Sequence, residues 1–175
     1  ASGDFSTALG MTSVASGTAS SALGVYAKAS GGAALAIGAI SKAEAEQSIA
    51  LGTNAKVNSN ATNSIAIGNG AIALNRDSIA IGSGSKADST TLSNEAYLVG
   101  GMTSGEMNIG NRRITDVSAG SDDTDAVNVS QLRQATLETI NQGFALQAQD
   151  GGKVQKSLGA AVEVVGADSN ISTKV

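Results

Sequence analysis

The chain repeats itself around glycine. The phrases STALG, SSALG, ALAIG, SIALG, SIAIG and SIAIG end at Gly10, Gly24, Gly38, Gly52, Gly68 and Gly82, at steps of 14, 14, 14, 16 and 14 residues. Six phrases in one register specify a repeat architecture, whose units bury apolar surface only against their neighbours. The longer step carries its extra residues in the polar run VNSNATN. Three and five residues after each glycine stand small side chains, as in Ser41 and Ala43 or Ala71 and Ala73. Three and one before it stand larger apolar ones: Ile49 and Leu51, Ile65 and Ile67, Ile79 and Ile81. Both patterns have period two, the signature of strands. Each unit therefore reads as strand, glycine turn, second strand and polar loop, the glycine supplying a backbone conformation that L-residues avoid.

Fourteen residues are too few for a three-sided coil and suit a flattened coil of two strands, stacked on its neighbours at roughly 4.8 Å. Ile49, Leu51, Ile65, Ile67, Ile79 and Ile81 are expected to point inward as the repeat core, against Ala and Ser from the second strand. The residues between, Ala66 and Ala80, together with Ile72, are then left to face another chain. So slender a roll buries little apolar surface for each backbone residue it orders, which predicts an obligate oligomer.

Composition agrees with a thin architecture. Hydrophobic residues make up 41% of the chain but aromatic ones only 2%, too few for the large buried areas of a thick core. Regularly placed branched aliphatics and the absence of Pro argue against a disordered Gly-rich linker. The net charge of −4 comes without a basic face, which argues against nucleic acid as a partner. Lys28, Lys42, Lys56 and Lys86 share one place in their coils, four after the glycine, with Val14 and Ile72 interrupting them. Solvated lysines protecting strand edges are the plainer role for them; outer-face contact with an acidic ligand is the sharper one. The chain has no Cys and no His. GNGAIA and GSGSKA do not make a G-x-G-x-x-G turn between strand and helix. Asp122, Asp123 and Asp125 lack the ligand spacing of a calcium loop. No enzyme activity, cofactor or metal is expected.

At Arg113 the text changes: with the preceding Arg112 it reads RRITDVSAGSDDTDAVNVSQL, to Leu132. Asn128 is placed to cap a helix and Gln131 stands three residues later, as in a capping box. The helix is expected to run through QLRQATLETIN and stop near Gly143. Its apolar stripe of Leu132, Ala135 and Ile140 is too short to hold alone and suits three copies around one axis.

This block resembles the neck of trimeric autotransporter adhesins: Arg113, Ile114 and Val117 in the strand, Gly120 in the turn, then Thr124, Asp125, Ala126, Val127, Asn128, Val129, Gln131 and Leu132 in TDAVNVSQL. NSIAIG, Asn63–Gly68, is similar to the head repeat of YadA-like adhesins, and GADSNISTKV to the stalk domain type called GIN. The resemblance implies a mainly β, left-handed parallel β-roll solenoid forming an intertwined homotrimer, with a neck, a short coiled-coil helix and a small β-rich C-terminal segment. The implied division is head 1–90, connecting insertion 91–110 (a short hairpin or irregular), neck 111–132, helix 133–143 and start of the stalk domain 144–175. Implied too are a place on the surface of a Gram-negative bacterium and attachment to extracellular matrix, cells or other surfaces. The outer-membrane anchor is expected outside these residues. A trimeric phage fibre or a purely structural spacer is the alternative.

Overall fold

In the computed structural model, residues 1–90, 100–149 and 151–162 are described. Two compact units divide the chain, Ala1–Arg113 and Ile114–Val175.

The first unit is a parallel solenoid. Thr7–Leu9, Ser21–Leu23, Leu35–Ile37, Ile49–Leu51, Ile65–Ile67, Ile79–Ile81 and Met107–Asn108 stack in that order as one seven-stranded sheet. Val14–Ala15, Lys28–Ala29, Lys42–Ala43, Lys56–Val57, Ile72–Ala73 and Lys86–Ala87 form a six-stranded sheet opposite. Equivalent residues pair from coil to coil, as Ala36 with Ala50 and Ala50 with Ala66. The 16-residue coil keeps this register, and Ala61, fully buried, fills the widened turn.

Two tight turns close each coil. Gly10 O accepts from Ser13 N at 3.2 Å and Gly17 O from Ser20 N at 3.2 Å. The third residue of each turn has positive φ, as a type II turn requires: Thr12, Tyr26, Ile40 and Asn54 on one side, Phe5, Ala19, Ala33 and Gln47 on the other. Gly70 and Gly84 take the same place in the last two coils.

The repeat glycines have a different reason to be glycine. At Gly10, Gly24, Gly38, Gly52 and Gly68 φ lies between +121° and +137°, outside the range L-residues adopt. An added Cβ at Gly68 would stand 2.6 Å from the carbonyl carbon of Gly82 in the next coil. Glycine thus packs on glycine along the roll.

The interior is inverted relative to expectation. The middle residue of each three-residue strand points inward, so Ala36, Ala50, Ala66 and Ala80 are fully buried. They meet Ala29, Ala43, Val57 and Ala73 from the opposite sheet, also fully buried. Ile49, Leu51, Ile65, Ile67, Ile79 and Ile81 are not the core; they flank the inward alanines on the outside, Leu51 being 40% and Ile81 37% exposed. Ile72 also faces outward. The physical reason is width: with two turns in fourteen residues, the sheets approach so closely that only Ala, Ser and one Val fit between them. Buried serines donate to turn carbonyls, as Ser20 Oγ to Gly17 O and Ser48 Oγ to Ala45 O, both at 2.6 Å. Among the described residues no buried side-chain polar atom lacks a partner.

The segment 91–110 ends neither as a hairpin nor as a detached insertion. Met107–Asn108 pairs in parallel with Ile79–Ala80, twice the repeat period further on, making a seventh rung. Tyr97, Leu98 and Val99, the alternation beyond Val162 and the GADSNISTKV ending lie outside the described residues.

The second unit contains the helix Val129–Gln142 and an antiparallel hairpin, Phe144–Gln147 with Lys153–Lys156. The capping box is complete: Asn128 Oδ1 accepts from Gln131 N at 2.9 Å and Gln131 Oε1 from Asn128 N at 3.3 Å. Gly143, with φ +51°, ends the helix and donates to Thr139 O. Leu158 N then donates to Ile140 O at 2.9 Å, tying the hairpin to the last turn.

Candidate binding surfaces, end cap and neck

The roll presents two chemically distinct outer faces. On the seven-stranded sheet, the residues either side of each inward alanine form two parallel columns. One runs Thr7, Ser21, Leu35, Ile49, Ile65, Ile79, Met107 and is apolar from Leu35 on; the other runs Leu9, Leu23, Ile37, Leu51, Ile67, Ile81. No described residue covers them, and a continuous aliphatic strip of this size on one chain marks an interaction surface. Met11, Val25, Tyr26 and Ile40 extend the apolar surface around the adjoining turns of the first coils.

The opposite face is polar. Lys28, Lys42 and Lys56 stand in register on consecutive strands, followed by Ile72 and Lys86. Lys28 Nζ lies 3.2 Å from Glu44 Oε1, and among the described residues Lys42, Lys56 and Lys86 have no ion-pair partner. Lys42 and Lys56 belong to central strands, so edge protection does not account for them.

The roll's last rung is capped by charge. Arg112 lays its guanidinium over Gly82, where each earlier glycine has a carbonyl above it. Its Nη2 donates to Ser83 O at 2.9 Å, and its Nη1 to Ile109 O at 2.8 Å and Ser85 Oγ at 3.2 Å. At the other corner Glu106, in the column of inward serines, accepts from Ser89 N at 2.7 Å. Asn108 occupies the place of the inward alanines. Such polar closure satisfies backbone groups that a further coil would otherwise pair. Sequence reasoning missed this cap. Its signal was EMNIG, whose glycine stands two full periods after Gly82.

The neck residues fold against the helix start. Gln131 reads both backbone groups of Gly120, accepting from its N at 2.9 Å and donating to its O at 2.8 Å. Asn128 Nδ2 donates to Val117 O at 3.2 Å. Asp125 Oδ2 accepts from Ser121 N at 2.8 Å and Asp122 N at 3.1 Å. These backbone donors hold its carboxyl below the ordinary carboxylate pKa. Arg113, Thr124 and Ala126 are exposed. So are Ile114, Val127, Val129 and Leu132, all more than three-fifths exposed, the first three lining a groove of about 330 Å³. No residue of the helix is buried. Among the described residues of this unit no side chain is buried.

Comparison with known proteins places these features together. A family model for the YadA head domain repeat matches residues 1–27, 15–39, 29–55 and 59–87. A second, for the coiled stalk of trimeric autotransporter adhesins, matches 113–154. The trimeric autotransporter adhesin AtaA of Acinetobacter sp. (strain Tol 5) is 48% identical over 99 residues, which are 51% of this chain and 3% of that protein. The crystal structure of the collagen-binding domain of the Yersinia adhesin YadA is similar with a TM-score of 0.43 and 28% identity, covering 75% of this chain and 86% of that one. With head repeats and stalk matched in the order in which the roll and the capped helix occur, the chain belongs to the trimeric autotransporter adhesins.

Proposed function

We propose that this chain is the head, neck and beginning of the stalk of a homotrimeric surface adhesin, which attaches a bacterium to extracellular matrix, cells or other surfaces. The division into head 1–90, neck 111–132, helix 133–143 and a GIN-like stalk start at 144–175 belongs to this proposal, with the rung at 107–108 added to the head. The observation that carries it is the separation of the roll's two faces. The aliphatic columns of one sheet supply a surface for two further copies of the chain, which explains why Ile and Leu stand outside a core of Ala. The exposed Ile114, Val127 and Val129 of the neck and the unburied stripe of the helix suit the same association. The opposite face then looks outward and repeats once per coil, so that weak contacts add over coils and chains. The protein acts by binding rather than catalysis, at the cell surface, held by an outer-membrane anchor further along the polypeptide.

Deleting two complete coils, residues 25–52, joins Gly24 to Thr53 in register. The expected result is lower adhesion of cells displaying the protein, with the trimer intact by light scattering. Undiminished adhesion by the shortened trimer would count against the repeats as the contact surface.

A further inference from the structure

The lysine column is costly where it stands. Like charges directly opposite on neighbouring strands repel, yet Lys28, Lys42 and Lys56 are stacked on three successive strands, roughly 4.8 Å apart. Lys42 and Lys56 are half-buried, as lysines are when the aliphatic stem covers apolar surface and the ammonium group stays in water. Glu44 relieves only Lys28. Nothing in the roll needs the charges of Lys42 and Lys56: their strands are central, and the inward Ala43 and Val57 do the packing, while Lys86 on the end strand of the sheet extends the same column. A ligand that carries negative charge at the same spacing would use them.

Resting on the adhesin reading above, we infer that this column binds an extended sulfated polysaccharide, the chain running along the roll with about one anionic group per lysine. The rise per coil is close to the length of one pyranose unit, so a glycan charged at each sugar meets a lysine at each rung. A carboxylated glycan charged at alternate sugars would leave every second lysine unmatched. Ser30 and Asn58, beside the column on the same face, offer hydrogen bonds to sugar hydroxyls. Among the described residues no aromatic side chain stands on the strands of this sheet to stack a nucleic-acid base. Ile72 leaves a gap of one rung before Lys86.

The probe is heparin, compared with hyaluronan and uncharged dextran, using the chain and two variants. K42Q/K56Q/K86Q removes the unpaired charges while keeping most of each stem. E44Q frees Lys28. Heparin binding stronger than hyaluronan binding is expected. The triple variant should weaken it about tenfold and flatten its salt dependence, as loss of exposed ion pairs does, while E44Q should strengthen it. Absence of heparin binding, equal binding of hyaluronan, or an unaltered triple variant would each overturn the inference. Parallel attachment assays of cells displaying the protein separate the two levels. Attachment to surfaces free of sulfated glycan, without heparin binding, removes this ligand and leaves the adhesin reading. No attachment to any surface removes the adhesin reading itself.

Discussion

Replacing Gly68 by Ala tests the stacking of glycine on glycine. Gly68 has φ +127°, and the new Cβ would meet Gly82 C at 2.6 Å, Gly82 O at 2.8 Å and Ser83 N at 2.8 Å. All three are backbone atoms of a paired coil, so no flexible side chain can yield. Holding an L-residue at such a φ costs about 1–3 kcal/mol, and overpacking a tight interior about 1–3 kcal/mol more. The total of roughly 2–6 kcal/mol per chain corresponds, at about 2–4 °C per kcal/mol for a chain of this size, to a melting temperature lower by roughly 5–20 °C. Gly70, two residues on, is the internal control. Its φ is +63° and a Cβ there meets nothing within 4 Å. Asn54 holds the equivalent place one coil earlier at φ 56°, so G70N should change the melting temperature little. Thermal unfolding followed by circular dichroism gives both values. Equal melting temperatures for G68A and G70N would refute the argument that interstrand backbone contact, rather than the turn, requires the repeat glycine.

Three further outcomes follow from the same geometry. A66L forces a larger side chain between sheets that hold only small residues and should destabilise each chain by about 1–3 kcal/mol, whereas I67S should leave the coil's circular dichroism intact and lower the molar mass at high dilution. R112A removes donors from Ser83 O, Ser85 Oγ and Ile109 O; hydrogen exchange should quicken selectively in the last coils, at a cost of about 1–3 kcal/mol. Asp125 has a folded pKa depressed by the amides of Ser121 and Asp122, so its contribution is present above the unfolded aspartate value and lost as pH falls through the folded one. Exchange of the Ser121 and Asp122 amides should therefore rise in acid below the ordinary aspartate range, and D125N should remove that pH dependence.

Much of this was legible in the sequence, but unevenly. The period was plain because each coil keeps its glycine, and the register of the sheets follows from it. The phase was not. An alternating pattern states which residues share a face and leaves open which face is inside. Ile65 and Ile67 read as core because size usually marks the interior; here the interior is too narrow, and the larger side chains lie outside. The capping box was legible to the residue, since Asn128 and Gln131 act through local hydrogen bonds that need no knowledge of the rest of the fold, although the helix begins at Val129, ahead of the stretch expected for it. The end cap was hidden because a run of about one coil's length separates the seventh rung from the sixth, and because Glu106 and Asn108 replace Ser and Ala in the phrase. Arg112 and Arg113 are indistinguishable as text; only the position of the last coil decides that Arg112 makes the cap. The lysines' register was visible, but it took the sheet order to place Lys42 and Lys56 in central strands and Lys86 in the end strand.

The most direct test of a thin alanine interior backed by an aliphatic outer face is the molar mass of the chain in solution, by light scattering coupled to size exclusion over a wide dilution range. A particle of three times the 17.1 kDa chain mass, persisting as long as the β signal persists, is expected. A well-folded monomer, with Ile65, Ile67, Ile79 and Ile81 open to water, would contradict it.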